Sequence, residues 1–408
     1  MNRDLEPEAT PVSDAGPSGR HSLVRRLLTP RWALPLLLFL GACASDAPQD
    51  TLEPKGPIAR TIDNLVNPVF LVAGVVFVLV EGGMLVLLRK FRRRQDDDDS
   101  ELPPQVHGNL RLEWGWTVVP FLILVGVAVP TVMTVFAIDA KADDATMTVQ
   151  VTGQQWWWEF RYDTNNDNKP DIITANDLVV PAGETIRLEI RSNDVIHSFW
   201  IPALNGKKDA VPGRVQELTV EADDPGTFVG QCTEFCGLSH AYMRQRLVAL
   251  SRSDFDSWAA NQREAAKMPT SGDAAAGAEL FKGVCSTCHL ARGINDDDFA
   301  AKMDEQGGRA LLESGVAPDL THFATRGAFA GAIFNLWTDT NGDDIVEWNE
   351  IGQPGAFNTN QLKAWLRDPP AEKPMHAVLE SPHSRGMPNY NLTEEQIDQL
   401  AAFFETLD

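Results

Sequence analysis

The fold is decided by residues 232–243, which read CTEFCGLSHAYM. Two cysteines four positions apart are followed by a histidine and a methionine, and a further histidine, His197, precedes them. Thiolate, imidazole and thioether groups are soft or borderline ligands that suit copper or zinc. A blue-copper site holding one ion needs only one cysteine. The second cysteine therefore allows two thiolates on one tight loop to bridge two copper ions.

Each side chain has a place in this interpretation. Cys232 and Cys236 bridge the two coppers. His197 and His240 bind one copper each, and Met243 is a weak ligand. A disulfide between the two cysteines, or a zinc site, is the alternative.

Residues 145–252, which surround this string, are predicted to form short strands. They are rich in β-branched residues and are punctuated by Pro-Ala-Gly at 181–183 and Asp-Pro-Gly at 224–226. The predicted strands are 146–151, 185–191, 215–220 and 227–231. This pattern is typical of a small all-β sandwich.

Two apolar runs precede the strands, at residues 65–88 and 114–138. Each is long enough to cross the roughly 30 Å hydrocarbon layer of a bilayer. Residues 89–94 between them contain five basic side chains, which the positive-inside rule places in the cytoplasm. We therefore expect a transmembrane helical hairpin over residues 60–138 in a bacterial plasma membrane, with everything after Asp139 extracytoplasmic.

Residues 1–43 are predicted to be an N-terminal extension and signal peptide. Basic residues precede a short apolar run at 33–40, which is too short to span a membrane. The run ends in Leu-Gly-Ala-Cys, which resembles a bacterial lipobox and implies lipidation of Cys43. An ordinary signal peptide that contains a cysteine is the alternative.

Residues 65–252 resemble subunit II of haem–copper cytochrome c oxidases. The resemblance includes every ligand of the C-x-E-x-C-x-x-x-H-x-x-M string and the segment 209–214, DAVPGR. It implies a cupredoxin-like fold for residues 139–253 and a binuclear copper centre, CuA, that passes electrons to subunit I. It also implies that Glu234 offers its backbone carbonyl to copper and binds magnesium through its side chain at the subunit I interface.

Two further roles follow from the resemblance. Trp156, the first of three consecutive tryptophans, is where electrons enter from cytochrome c, the alternative being a packing role. Glu113, near the start of the second apolar helix, lies at the mouth of a proton path in subunit I. The alternative for Glu113 is a solvated carboxylate favoured by the helix dipole.

Residues 285–289 read CSTCH, the pattern of covalent c-type haem attachment through Cys285 and Cys288, with His289 as the proximal ligand. A thioredoxin-like pair is the alternative, but no βαβ pattern surrounds the motif. The Gly-Met-Pro segment at 386–388 resembles that of class I cytochromes c and assigns Met387 as the second axial ligand, with Met375 and His376 as rivals. We therefore expect an all-α class I cytochrome c domain over residues 273–408, joined by a linker at 254–272.

Residues Asp339–Glu350 resemble a calcium-binding loop, with oxygen-bearing side chains at positions 1, 3, 5, 9 and 12. The glycine expected at position 6 is replaced by Asp344. An acidic surface insertion is the alternative.

The whole chain is therefore predicted to be multidomain and to resemble subunit II of caa3-type oxidases. Electrons would pass from the fused c-haem to CuA and on to subunit I, which reduces oxygen to water and pumps protons. The expected partners are subunit I, subunit III and an upstream donor such as a cytochrome bc complex or cytochrome c. A net charge of −22 argues against a nucleic-acid partner.

Two other functions fit less well. A nitrous-oxide reductase would need a histidine-rich copper domain, but the chain has eight histidines, and three of them are assigned to the copper and haem sites. A nitric-oxide reductase component is the other possibility. Against it, His107, Glu113 and the two spans favour an oxidase. A loosely docking lipoprotein carrier of electrons would not need the charge-free second span.

Overall fold

The computed structural model describes residues 47–92, 107–139, 145–165, 170–296, 317–377 and 385–408. Cys43, predicted to be lipidated, lies outside the described residues.

Two long helices form the N-terminal part, α1 (Pro57–Lys90) and α2 (Leu110–Ile138). Both are long and apolar enough to cross a membrane, which confirms the two predicted apolar helices. Helix α1 begins eight residues before the apolar run, because its first turn packs on the strands: Ala59 is buried, and Arg60 pairs with Asp223. Asn109 caps α2 by accepting from the Arg111 N–H at 3.1 Å.

Ten strands follow and form a β-sandwich. The five-stranded sheet has the order β3-β2-β1-β5-β8, the three-stranded sheet has the order β4-β10-β9, and β6 pairs with β7. The strands are β1 Met147–Gln154, β2 Trp157–Asp163, β3 Ile172–Ala175, β4 Asp177–Pro181, β5 Ile186–Ser192, β6 His197–Phe199, β7 Lys208–Ala210, β8 Gln216–Val220, β9 Gly226–Gln231 and β10 Arg244–Leu250. The predicted strands correspond to β1, β5, β8 and β9.

The core lies between the two larger sheets. In β5, Ile186, Leu188 and Ile190 are fully buried while the residues between them are partly exposed, as the two-residue period of a strand requires. β1 is paired on both sides, antiparallel to β2 and parallel to β5. β1 is therefore held on both sides where it approaches residues 232–243, the loop that contains most of the predicted metal ligands.

Most of helix α3 (Arg252–Arg263) lies within the predicted linker at 254–272, and the helix packs on the sandwich. Phe255 and Trp258 are three positions apart, so they share one face of the helix, and both are buried. The Trp258 ring meets the Tyr162 ring with centroids 5.3 Å apart. We call residues 145–263 the sandwich domain.

The remaining described residues from 272 onward form what we call the C-terminal domain. Its helices are α4 Gly272–Val284, α5 Thr359–Arg367, α6 Pro369–Glu372 and α7 Glu394–Glu405. Helix α7 begins with a capping box, in which Thr393 and Gln396 exchange backbone and side-chain hydrogen bonds. A short hairpin, β11 (Ala328–Phe329) with β12 (Phe334–Asn335), departs from the all-α prediction.

Helices α4 and α7 cross closely. At the crossing, a β-carbon on Gly277 would overlap the Gln399 carbonyl, so only glycine fits there. The Phe281 and Phe403 rings pack beside it with centroids 5.3 Å apart. This crossing forms the centre of the second hydrophobic core and positions the residues that follow α4.

Candidate functional site

Three elements of the sandwich domain bring the predicted copper ligands together. His197 begins β6, Cys232 directly follows β9, and the short 3-10 helix His240–Tyr242 closes the loop. The Sγ atoms of Cys232 and Cys236 lie 3.8 Å apart. With a ring nitrogen of His197 they form a buried group whose ligand atoms all lie within 4.8 Å of one another.

The other three predicted ligands surround this pair. The Cys236 Sγ lies 3.6 Å from Nδ1 of His240 and 3.8 Å from Sδ of Met243. The Glu234 carbonyl oxygen lies 3.3 Å from the Cys232 Sγ. All six predicted metal ligands therefore meet in one place.

Asp194 holds His197 in position. Its Oδ1 lies 2.7 Å from Nε2 of His197, while Nδ1 of the ring lies 4.0 Å from the Cys232 Sγ. The backbone N–H of Gln155 donates to the same carboxylate at 2.7 Å. A carboxylate that fixes the far nitrogen of a metal-binding histidine is a common outer-shell arrangement. Its position three residues before His197 is the sequence signal for this role.

Electrostatics favour a cation here. The hydrogen bond between Cys232 and Cys236 lowers the pKa of Cys232 and raises the pKa of Cys236. Burial opposes protonation of His197, but its hydrogen bonds to Asp194 and Cys232 outweigh this and raise its pKa. Two thiolates in contact repel each other unless a metal ion lies between them.

The donor chemistry separates the alternatives for this cluster. Cys232 and Cys236 are both free thiols, not a disulfide. Six donors exceed the four that a structural zinc site takes. The residues present therefore fit a pair of copper ions better than one zinc ion.

Trp156 lies in the turn between β1 and β2, so strand alternation does not set its direction. Its indole Nε1–H donates to the Cys236 carbonyl at 3.1 Å, and its side chain is only 4% exposed. Trp156, the predicted electron-entry residue, thus contacts the loop that contains the metal ligands, but its side chain is covered on the outer side.

Glu113 is exposed in the first turn of α2, as expected for either of its two predicted roles. Glu234 is also exposed, beside Phe235, which is 77% exposed. The proton-path and magnesium roles stay predictions.

The CSTCH motif lies at the end of α4. Neither Cys285 nor Cys288 forms a disulfide, and burial raises the pKa of Cys285 to about 12. Nδ1 of His289 lies 2.8 Å from the carbonyl oxygen of Pro318, and burial lowers the pKa of this histidine. The contact fixes the ring through Nδ1, as in many metal-binding histidines, whose second nitrogen binds the metal.

The two candidate methionine ligands lie in different cores. Met387 packs on the core of the C-terminal domain, which also contains Cys285. Met375 packs on the core of the sandwich domain. Tyr390 has a pKa raised by burial and by Cys288 and Cys285, so the Met387 segment lies beside the CSTCH motif.

The acidic insertion Asp339–Glu350 is a closed loop. The Asp339 carboxylate accepts the backbone N–H groups of Asn341, Gly342 and Asp344 at 2.8 to 3.0 Å. Among the residues that the structure describes, the only group with metal-ligand geometry is the one at His197, Cys232 and Cys236. Calcium binding at the insertion stays a prediction.

The C-terminal domain covers one end of the sandwich domain. Arg246 is buried in an ion pair with Asp177 at 2.6 Å and donates to the Val346 carbonyl at 3.2 Å. The Gly327 N–H donates to the same Asp177 carboxylate at 2.9 Å. We call the contact between the domains the docking face; its residues include Trp156, Asp177, Arg246, Gly327, Ala330, Val346 and Lys373.

Comparisons with known proteins agree with this geometry. The family models described as "Cytochrome C oxidase subunit II, transmembrane domain" and "Cytochrome C oxidase subunit II, periplasmic domain" match residues 51–134 and 168–249. Cytochrome c oxidase subunit 2 of Alkalihalophilus pseudofirmus is 33% identical over 380 residues, covering 91% of this chain and 94% of the relative.

Two other relatives differ in coverage. Cytochrome c oxidase subunit 2 of Bacillus sp. strain PS3 is 33% identical over 76% of this chain and 77% of the relative. Quinol oxidase subunit 2 of Bacillus spizizenii is 35% identical over 60% of this chain and 76% of the relative. With two apolar helices, a β-sandwich and a buried thiolate–imidazole cluster, the chain belongs to the cytochrome c oxidase subunit II family of the haem–copper oxidases.

Proposed function

We propose that this chain is the electron-accepting subunit of a caa3-type cytochrome c oxidase. It carries a covalent c-haem in its C-terminal domain and a binuclear CuA centre in its sandwich domain. Electrons pass through the chain to subunit I, where oxygen is reduced to water and protons are pumped. The observation that carries the proposal is that the predicted copper ligands and the CSTCH motif lie in one chain, on two domains in direct contact.

Cys232 and Cys236 would hold the copper pair through their thiolates. His197, oriented by Asp194, and His240, Met243 and the Glu234 carbonyl would supply the other ligands. A pair of coppers that shares one electron changes its geometry little on reduction. The rigid loop and the fixed imidazole suit that requirement.

The haem is attached through Cys285 and Cys288, with His289 as an axial ligand. The contact between His289 and the Pro318 carbonyl supports this assignment, because it orients the ring before any iron is bound. The match to the A. pseudofirmus relative covers 91% of the chain, so it extends into the C-terminal domain.

Met387 is the second axial ligand. It shares a core with Cys285, whereas its rival Met375 packs on the sandwich domain, and His376 pairs through its backbone with Arg385. Met and His ligation raises the haem potential relative to two histidines.

We call residues 232–243 the copper loop. The exposed face beside this loop binds subunit I. Phe235 and Leu238 are 77% and 61% exposed, and large apolar side chains clustered at a surface mark an interaction site. Glu234 binds magnesium at this interface through its side chain, and Glu113 lies at the mouth of the proton path.

The remaining assignments follow from the topology. The chain lies in a bacterial plasma membrane with both redox domains extracytoplasmic and Cys43 lipidated. Subunit III is a further partner, and the donor is a cytochrome bc complex or a soluble cytochrome c. Asp339–Glu350 binds calcium, and the same insertion also holds the domains together, because Glu347 accepts from the Thr227 hydroxyl at 2.8 Å.

Metal and haem analysis of the purified oxidase tests the proposal. We expect two coppers of the CuA type, seen as one unpaired electron split by two equivalent copper nuclei, and one covalent haem per copy of this chain. Covalent haem is measured on the denatured chain, where haems held without a covalent bond are lost. A chain without covalent haem, or with one copper or zinc, contradicts the proposal.

A further inference from the structure

The segment Lys373–Met375 of the C-terminal domain crosses the sandwich domain at the copper loop. Lys373 is 3% exposed, and its ammonium donates to the carbonyl oxygens of Trp156 at 2.8 Å and Ala330 at 2.9 Å. The Ser239 hydroxyl, also buried, donates to the Pro374 carbonyl. A lysine buried so completely is uncommon unless its ammonium is satisfied by specific partners.

Both contacts end next to copper ligands. Trp156 donates through its indole to the carbonyl of Cys236 at 3.1 Å. Ser239 directly precedes His240, whose Nδ1 lies 3.6 Å from the Cys236 Sγ. The segment is therefore joined to the copper loop twice, through two hydrogen bonds by way of Trp156 and through one hydrogen bond from Ser239.

The other end of the segment reaches the haem ligand. Met375 lies so close to Gly386 that a β-carbon on Gly386 would overlap the Met375 sulfur. Gly386 directly precedes Met387. The backbone N–H of Arg385 also donates to the His376 carbonyl at 2.8 Å. The segment thus contacts the copper loop on one side and the Met387 segment on the other.

We propose that Lys373–Met375 is the electron bridge between the two centres, with Lys373 as the positioning residue that holds it. The inference rests on the proposed c-haem. The step moves one electron: ferrous haem iron becomes ferric and the copper pair gains that electron, with no proton transferred. Electron transfer is faster through packed atoms and hydrogen bonds than across a gap, so the rate depends on how this segment is held.

The test uses the intact oxidase with four chains: wild type, Lys373→Met, Ser239→Ala and the matched control Lys363→Met. Lys363 forms an ion pair with Asp398 at 2.7 Å, away from the docking face. Covalent haem and the copper EPR spectrum are measured first in each. A wild-type chain without covalent haem refutes the proposed function itself, which separates that failure from failure of the bridge.

The rate is then measured by rapid photoreduction of the c-haem, following the copper absorption. The rate of electron transfer falls with distance and with the loss of packed contacts between the two centres. We expect Lys373→Met to slow the transfer several-fold, with unchanged copper EPR, and Ser239→Ala to slow it less. Lys363→Met should match wild type.

Hydrogen exchange of the peptide containing Arg244 gives a readout that needs no electron transfer. The Arg244 N–H donates to the Gly331 carbonyl at 2.9 Å across the docking face, so loosening this face should speed exchange of the Arg244 amide in the Lys373→Met chain. A Lys373→Met rate equal to the Lys363→Met rate overturns the bridge, whatever the exchange shows. If the Lys373→Met chain does not assemble, the Ser239→Ala rate decides in the same way.

Discussion

The copper loop and the docking face are assembled in opposite ways. Five of the six metal ligands lie within residues 232–243, and the string itself reveals the chemistry. The docking face joins residues far apart in sequence, such as Trp156 and Lys373, which are separated by 217 positions. Local chemistry can thus be predicted from sequence, whereas the contact between the two domains depends on the folded chain.

Replacing one cysteine in each of the two sites should have the largest effect, which is the loss of one cofactor. We expect Cys232→Ser to abolish the binuclear copper signal and keep the covalent haem, because one bridging thiolate is lost. Cys288→Ser should do the reverse, keeping copper and losing normal haem attachment. Copper content and haem staining of the two chains measure this. Loss of both cofactors from either chain would mean that the sites do not fold independently.

Removing the haem should isolate the copper site from outside donors. Trp156 is 4% exposed beneath the docking face, so a soluble cytochrome c has no open path to it. We expect copper in a chain with both Cys285→Ala and Cys288→Ala to be reduced far more slowly by reduced cytochrome c than in wild type. Stopped-flow absorption of the copper measures the rate. Reduction at the wild-type rate would show that electrons bypass the C-terminal domain.

Breaking the buried ion pair should weaken the docking face. Arg246→Met leaves the Asp177 carboxylate buried without its partner, and such a change costs about 3–5 kcal/mol. Denaturant unfolding of the chain measures this loss. The double variant with Asp177→Asn should recover part of it, whereas Arg367→Met, which breaks an exposed ion pair with Glu394, should change little. Equal effects of the buried and exposed variants would contradict the account.

Calcium should have the smallest effect. The Asp339 and Glu350 carboxylates already accept hydrogen bonds from backbone N–H groups within the loop. A bound calcium ion would therefore order the loop only a little further. We expect calcium to raise the unfolding temperature slightly and Asp339→Asn to remove the rise. A calorimetric titration without heat would refute the calcium prediction but not the contact between Glu347 and Thr227.

The same contrast explains what the sequence could predict. The strands around 146–151 and 185–191 follow from β-branched residues and turn signals, and the capping box at Thr393 follows from two side chains. The packing of α3 on the sandwich has a weak signal in the sequence, because just two large apolar residues, Phe255 and Trp258, mark its buried face. The role of Lys373 has no local signal, since its partners come from distant parts of the chain.

Intramolecular electron transfer in the intact oxidase tests the central claim most directly. After rapid photoreduction of the c-haem, its oxidation and the reduction of copper should share one rate constant that does not change with enzyme concentration. Such a result means that the electron moves within one chain, as the contact between the domains requires. Copper that is reduced before the haem, or at a rate that rises with enzyme concentration, would contradict the account.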